Sequence, residues 1–284
     1  MKKLLLMTLL MGFTHLTFAQ DKPAYIIYNT QGKKVSYGKM IKSLAQNDVL
    51  LFGEIHNNPI AHWLEYEVTV DLSQKKSLIL GAEMIEADNQ DALNKYLKNE
   101  INDEELANQA RLWPNYPTDY APLVDFAKDK NIPFVATNIP RRYASLVFKG
   151  DFSALDTLSA QEKSWIAPLP IAFDPELPTY QNILKMMGGH GSRLLVKAQA
   201  IKDATMAHFI LQNYKPGYGF IHYNGSYHSD DYEGILWYLK QEKPDLKYAT
   251  ISTISQDNIH KLNKENLGKA DFIICVDGNM TNTY

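Results

Sequence analysis

One cysteine, Cys275, is all that the 284 residues contain, so no internal disulfide can form and the fold must rest on burial. Cys275 lies in the apolar run FIICV near the C-terminus and reads as a small buried apolar residue. Charge of one sign is also missing: 29 Lys and Arg stand against 32 Asp and Glu. Nucleic-acid binders neutralise phosphates with a basic face, so nucleic acid is excluded as an expected partner. After the first twenty residues no segment approaches the roughly 18 uninterrupted apolar residues that a membrane span needs. Internal repeats and low-complexity tracts are absent, which excludes solenoids and disordered tails.

What is present is enough for a real core: 45% hydrophobic and 11% aromatic residues against 21% charged. At roughly 100 to 200 residues per domain, this length allows one large domain or a domain with an appendage. The first residues, MKKLLLMTLLMGFTHLTFAQ, place two lysines before an apolar run and end on small residues. That pattern predicts a secretory signal peptide over 1–19, with Thr17 and Ala19 at the -3 and -1 positions of the cleavage site. A periplasmic or secreted location follows as an expectation. No cysteine in that region offers a lipid-attachment site.

Beyond the signal, YIIYNTQGKKVSY predicts an edge hairpin and residues 37–47 a helix. Six short apolar runs then read as strands: VLLF at 49–52, LILGA at 78–82, PFVAT at 133–137, GFIHY at 219–223, YATIS at 248–252 and FIICV at 272–276. Helical patterns over 60–72, 89–98, 104–108, 120–130 and 229–240 separate them, the last with Ser229 or Asp230 as its N-cap. Strands alternating with helices predict an α/β fold with a largely parallel sheet flanked by helices. The interval 143–216 has no strand pattern; it holds a proline-rich link at 167–178, a Gly-Gly-His-Gly turn and a long helix near 191–213. It reads as a small inserted helical subdomain, leaving 20–142 and 217–284 as the α/β domain.

Ligands of open parallel sheets bind beyond the carboxyl ends of the strands. The residues that follow each predicted strand are Glu54 and His56, then Glu83 and Glu86, then Asn138, Arg141 and Arg142, then Asn224, Tyr227 and His228. GEIH and GSYH share the form Gly-x-x-His, so Gly53 and Gly225 permit tight exits and the two imidazoles can converge. With Glu83, His56 and His228 form a suitable ligand set for a divalent metal such as zinc, iron or manganese. The same groups can act without metal, with Glu54 or Glu83 as base and an arginine holding an anion.

Arg141 and Arg142 follow Asn-Ile-Pro at the start of a predicted helix, where exposed N–H groups attract anions such as porphyrin propionates or a substrate carboxylate. Tyr143 comes next, and tyrosinate is a known axial ligand of haem iron. Farther on, Gln199, Lys202, Asp203 and Met206 share one helix face that can look into the crevice. The remaining histidines, His62, His190, His208, His222 and His260, are expected in surface or core roles.

The strings LLFGEIHNNP, LGAEM, NIPRRYA, AQAIKDATMAHFI and NGSYH, in this order and spacing, resemble the ChaN-like haem-binding uptake family, in a superfamily shared with Tiki and TraB proteins and the erythromycin esterases. The resemblance spans roughly residues 25–276. It implies haem as cofactor, a role in bacterial iron or haem acquisition, a homodimer enclosing the haem, and an outer-membrane haem transport component as partner. A tyrosine ligand of the family is matched here by Tyr143, with Arg141, Arg142, Met206 and Tyr227 as further cofactor contacts. In hydrolase-like members the Gly-x-x-His motifs and a glutamate form the active centre, and the matching positions are Glu54, His56, Glu83 and His228. That leaves a metal-dependent esterase or peptidase as the alternative reading.

Overall fold

Side chains of β2 (Val49–Glu54), β3 (Leu78–Glu86) and β5 (Gly219–Gly225) are buried along their entire length. Burial of that kind needs a sheet covered on both faces, as parallel sheets are. The computed structural model describes residues 22–186 and 193–284. The predicted signal segment, the Gly-Gly-His-Gly turn with His190, and the first residues of the long helix lie outside the described residues.

Seven strands stand in the order β1-β7-β6-β2-β5-β3-β4, completed by β1 (Tyr25–Asn29), β4 (Phe134–Asn138), β6 (Tyr248–Gln256) and β7 (Phe272–Asp277). All neighbours run parallel except β1, which pairs antiparallel with β7 at the edge. The six apolar runs therefore fall on the six parallel strands. The hairpin after β1 forms its turn, with Asn29 N donating to Lys33 O at 2.9 Å, but its second arm is a single bridge between Tyr28 and Lys34.

The crossover helices are α1 (Tyr37–Leu44), α2 (Pro59–Ser73), α3 (Gln90–Leu97), α4 (Asp103–Gln109), α5 (Ala121–Lys130), α6 (Arg141–Gly150), α7 (Ala160–Lys163), α8 (Pro178–Met186), α9 (Arg193–Asn213) and α10 (Ile235–Glu242). The period of two along β2 sorts them into two layers. Leu50 and Phe52 face Met40 of α1, Leu64 and Val68 of α2 and Val124 of α5. Val49 and Leu51 face Met206 and Ile210 of α9 and Ile235 and Leu239 of α10. The interval 143–216 is strand-free among the described residues, yet α9 packs directly on the sheet and forms one of its covering layers.

Helix α10 begins later than the sequence suggests. Asp231, Tyr232 and Gly234 adopt positive φ, which breaks the helical path before Ile235. Ser229 and Asp230 therefore do not cap α10, and Ser229 Oγ instead accepts from Asn224 Nδ2 at 3.0 Å. Cys275 is free and buried in β7, and burial pushes its thiol up to about 11. Among the described residues no helix is long and apolar enough to cross a membrane.

Candidate functional site

Three adjacent strands deliver the site. β5 lies between β2 and β3, and the register sets Gly53 opposite Asn224 and Glu54 opposite Gly225. The two Gly-x-x-His segments thus leave the sheet side by side. Both glycines permit close contacts: a Cβ on Gly53 would lie 2.8 Å from Ile251 O and 3.0 Å from Ser226 Cα, both backbone, and one on Gly225 would lie 2.7 Å from His56 Nε2. Each motif fills the space left by the other's missing side chain. Glu83 follows the last β3 residue paired with β5, where the β3–β4 register also shifts. Its Oε2 accepts from Gly225 N at 2.8 Å.

His56, Glu83 and His228 all line a cavity of about 650 Å³ at this carboxyl edge. That size is typical of small-molecule sites. The expected convergence of the two histidines at one mouth is found. Trp113, Pro114, Ile139, Ile183 and Met186 supply apolar wall, and Arg111, Arg141 and Lys202 supply cations. Arg111 is paired with Glu86 at 2.5 Å, whereas among the described residues Arg141 and Lys202 have no carboxylate in salt-bridge contact. Tyr227 stands on the rim, 54% exposed, with its hydroxyl 3.6 Å from Met186 Sδ.

Each histidine is backed by its own acids. Glu54 Oε1 lies 2.6 Å from His56 Nδ1 and also accepts from the Tyr120 hydroxyl at 2.8 Å, leaving His56 Nε2 turned toward Gly225. His56 is raised above its ordinary pKa: burial lowers it, but Glu54 and Glu83 outweigh burial. His228 donates Nδ1–H to Asp203 Oδ1 at 2.5 Å and Nε2–H to Glu83 Oε1 at 3.1 Å. Burial works against its charge, yet the two carboxylates push it up to about 9. Glu83 is held well below the usual carboxylate range because His228 and His56 overcome its burial. Asp203, whose other oxygen accepts from the Tyr180 hydroxyl at 3.0 Å, is raised by burial despite His228. The result is an imidazolium clamped between two carboxylates beside an imidazole with one ring nitrogen open to the cavity.

Several expected site residues stand elsewhere. Tyr143 does not line the cavity. On α6 it lies two residues, about 200° of helix rotation, past Arg141, so it packs with Ile139, Val147 and Leu155. Its hydroxyl sits between Arg142 Nη2 and Glu162 Oε1, each at 3.1 Å. Arg142 likewise turns away, pairing with Asp88 at 2.6 Å and stacking on the Tyr143 ring at 4.4 Å. At the start of α6 the Arg141 backbone N–H works, with Arg111, against the rise that burial gives the Glu86 carboxyl. Met206 shares a helix face with Gln199 and Lys202 but sits about 10 Å further along the axis than Gln199, fully enclosed in the core.

The expected metal set of His56, Glu83 and His228 meets, but both nitrogens of His228 are committed to carboxylates and both oxygens of Glu83 to donors. Among the described residues the group whose donor atoms all lie within 4.8 Å of one another is Glu54, His62 and Glu65. His62, for which the sequence suggests a surface or core role, belongs to this group; the signal that points to it is the His-x-x-Glu spacing in the first turns of α2, six residues after His56. Arg111, Trp113 and Pro114 come from a loop whose sequence has no motif.

The fold and the cleft define an α/β protein with a histidine–carboxylate pocket at the carboxyl edge of a parallel sheet. The chain belongs to the family described as haem-binding uptake, Tiki superfamily, ChaN, whose model matches residues 40–239. Among solved structures it is similar to ChaN of Campylobacter jejuni, described as binding haem cofacially, with TM-score 0.68 and 21% identity over 89% of this chain and 97% of that one. An erythromycin esterase mutant in an open conformation aligns with TM-score 0.51 and 10% identity over 90% and 99% of the two chains. A succinoglycan biosynthesis protein aligns with TM-score 0.53 and 12% identity over 89% and 94%. At these identities the structural likeness is one of fold. No curated protein matches the chain.

Proposed function

We propose that this chain is an exported haem-binding protein of bacterial iron or haem acquisition, with the 650 Å³ cavity as its haem site. The observation that bears most weight is the pairing of apolar wall with two cations that have no salt-bridge partner among the described residues and a rim phenol, in a chain of the haem-binding uptake family. Trp113, Ile139, Ile183 and Met186 suit a porphyrin face, and Arg141 and Lys202 suit its propionates. Tyr227, not the enclosed Tyr143, is the tyrosine whose hydroxyl can reach a ligand in this cavity. Bound ferric haem would supply an iron that favours an anionic oxygen ligand. The signal-like N-terminus supports export, and handover to an outer-membrane transport component fits an exported carrier. The cofacial haem binding described for the Campylobacter jejuni protein supports a homodimer joined at this mouth. Hemin titration of the purified protein tests the reading: a saturable Soret change at about one haem per chain is expected, and no saturable change would refute it.

A second reading, hydrolysis, is favoured by one observation: His56 presents Nε2 to the cavity while Glu54 holds Nδ1, the arrangement of a general base. Assay of ester and peptide substrates with wild type and His56→Ala tests it. Activity lost in the variant supports hydrolysis; equal rates in both remove it.

A further inference from the structure

Behind His56, on the side of Glu54 away from the cavity, Glu54, His62 and Glu65 form a closed cluster between β2 and α2. Glu54 and Glu65 have fully buried side chains and His62 is nearly so. Glu65 Oε1 is buried without a hydrogen-bond partner, and Glu54 Oε2, though 3.1 Å from His62 Nδ1, makes no well-aligned hydrogen bond. Water cannot reach these atoms, so their charge needs another source of compensation.

The ring of His62 narrows the choices. Its Nε2 lies 3.1 Å from the carbonyl oxygen of His56, which can only accept, so Nε2 holds a proton. Asp119 Oδ2 lies on the same side at 3.4 Å. Nδ1 then faces Glu54 Oε2 at 3.1 Å and Glu65 Oε2 at 3.3 Å. A second proton on Nδ1 balances the two carboxyl groups only while burial beside Glu54 keeps Glu65 protonated. A divalent cation against a neutral Nδ1 balances both.

We infer that Glu54, His62 and Glu65 bind a divalent transition-metal ion of the zinc, manganese or iron class. Metal–donor bonds of about 2.0–2.2 Å in a tetrahedral site set neighbouring donors about 3.3 Å apart, close to the separations around Nδ1. One imidazole with two carboxylates suits those metals better than calcium or copper(I). The outer partners also fit: the free ring N–H of His62 goes to a backbone carbonyl, and the Tyr120 hydroxyl holds Glu54 Oε1 at 2.8 Å. The site is distinct from the cavity and does not depend on what the cavity binds. Its ion would fix Glu54, and through Glu54 the ring of His56.

The test uses the whole chain, stripped with a chelator and titrated with Co²⁺ or Zn²⁺ alone. About one ion per chain by elemental analysis, a rise in Tm and cobalt d–d absorption are expected. Glu65→Gln should weaken Co²⁺ binding more than tenfold and remove the d–d bands. Wild-type protein that takes up no stoichiometric Co²⁺ or Zn²⁺ would overturn the inference even if the variant fails to fold. A d–d spectrum unchanged in Glu65→Gln would overturn it too, by moving the ion to other ligands.

Discussion

His56 rests against Gly225, so close that a Cβ at position 225 would lie 2.7 Å from the imidazole Nε2. The converse contact joins Gly53 to the backbone of Ser226. The two Gly-x-x-His segments are therefore one interlocked unit, and the glycines are as much a part of the site as the histidines.

The two glycines should respond differently to substitution. In Gly225→Ala the new methyl meets a half-buried side chain that can swing away, so the protein should fold and lose the His56 position. In Gly53→Ala it meets the backbone of β6 at Ile251 and of the segment after β5 at Ser226, which cannot yield. Urea unfolding should show Gly53→Ala destabilised by about 1–3 kcal/mol and Gly225→Ala by less, while hemin titration shows altered binding in Gly225→Ala.

Tyr227→Phe should weaken hemin binding and shift the Soret band, since its hydroxyl is the phenol at the cavity rim. Tyr143→Phe should leave the spectrum unchanged and remove only hydrogen bonds to Arg142 and Glu162, with a stability change of about 1 kcal/mol. Absorbance titration of both variants checks the assignment.

Among the cations, Arg141→Ala and Lys202→Ala should each raise the hemin Kd several-fold, because both line the cavity and neither has a salt-bridge partner among the described residues. Arg142→Ala should not, as its guanidinium is held by Asp88 outside the cavity. Loss of that exposed pair should cost about 0–1 kcal/mol. Fluorescence quenching by hemin, run in parallel on the three variants, separates them.

The His228 imidazolium gives stability a defined pH dependence. Its folded pKa of about 9 lies above the ordinary 6.5, so its contribution is complete below 6.5 and is lost as pH rises through 9. Glu83 is shifted the other way, so its contribution stands above about 4.5 and fades as pH falls through its lowered value. Between pH 7 and 10 wild type should lose on the order of 2–3 kcal/mol more than His228→Asn. Urea midpoints at the two pH values measure the difference.

The strands were legible because β2, β3 and β5 are buried on both faces and so read as unbroken apolar runs. The paired Gly-x-x-His motifs were legible because a strand exit followed by His repeats twice. Tyr143 and Arg142 were misplaced because adjacency in sequence conceals 100° of rotation per residue on α6. Met206 was misplaced because sharing a helix face says nothing of depth along the axis. Trp113 and Arg111 could not be seen at all: they reach the cavity from a loop, and only the packed fold brings that loop to the sheet edge. The start of α10 was obscured by positive φ at Asp231 and Tyr232, residues that do not advertise it as glycine does.

The most direct test of the central claim is iron-edge anomalous diffraction from crystals of the haem-loaded protein. An iron peak inside the cavity, near Tyr227 and on the side of His56 and His228, is the expected result. Iron located outside that cavity, or beside Tyr143, would contradict it.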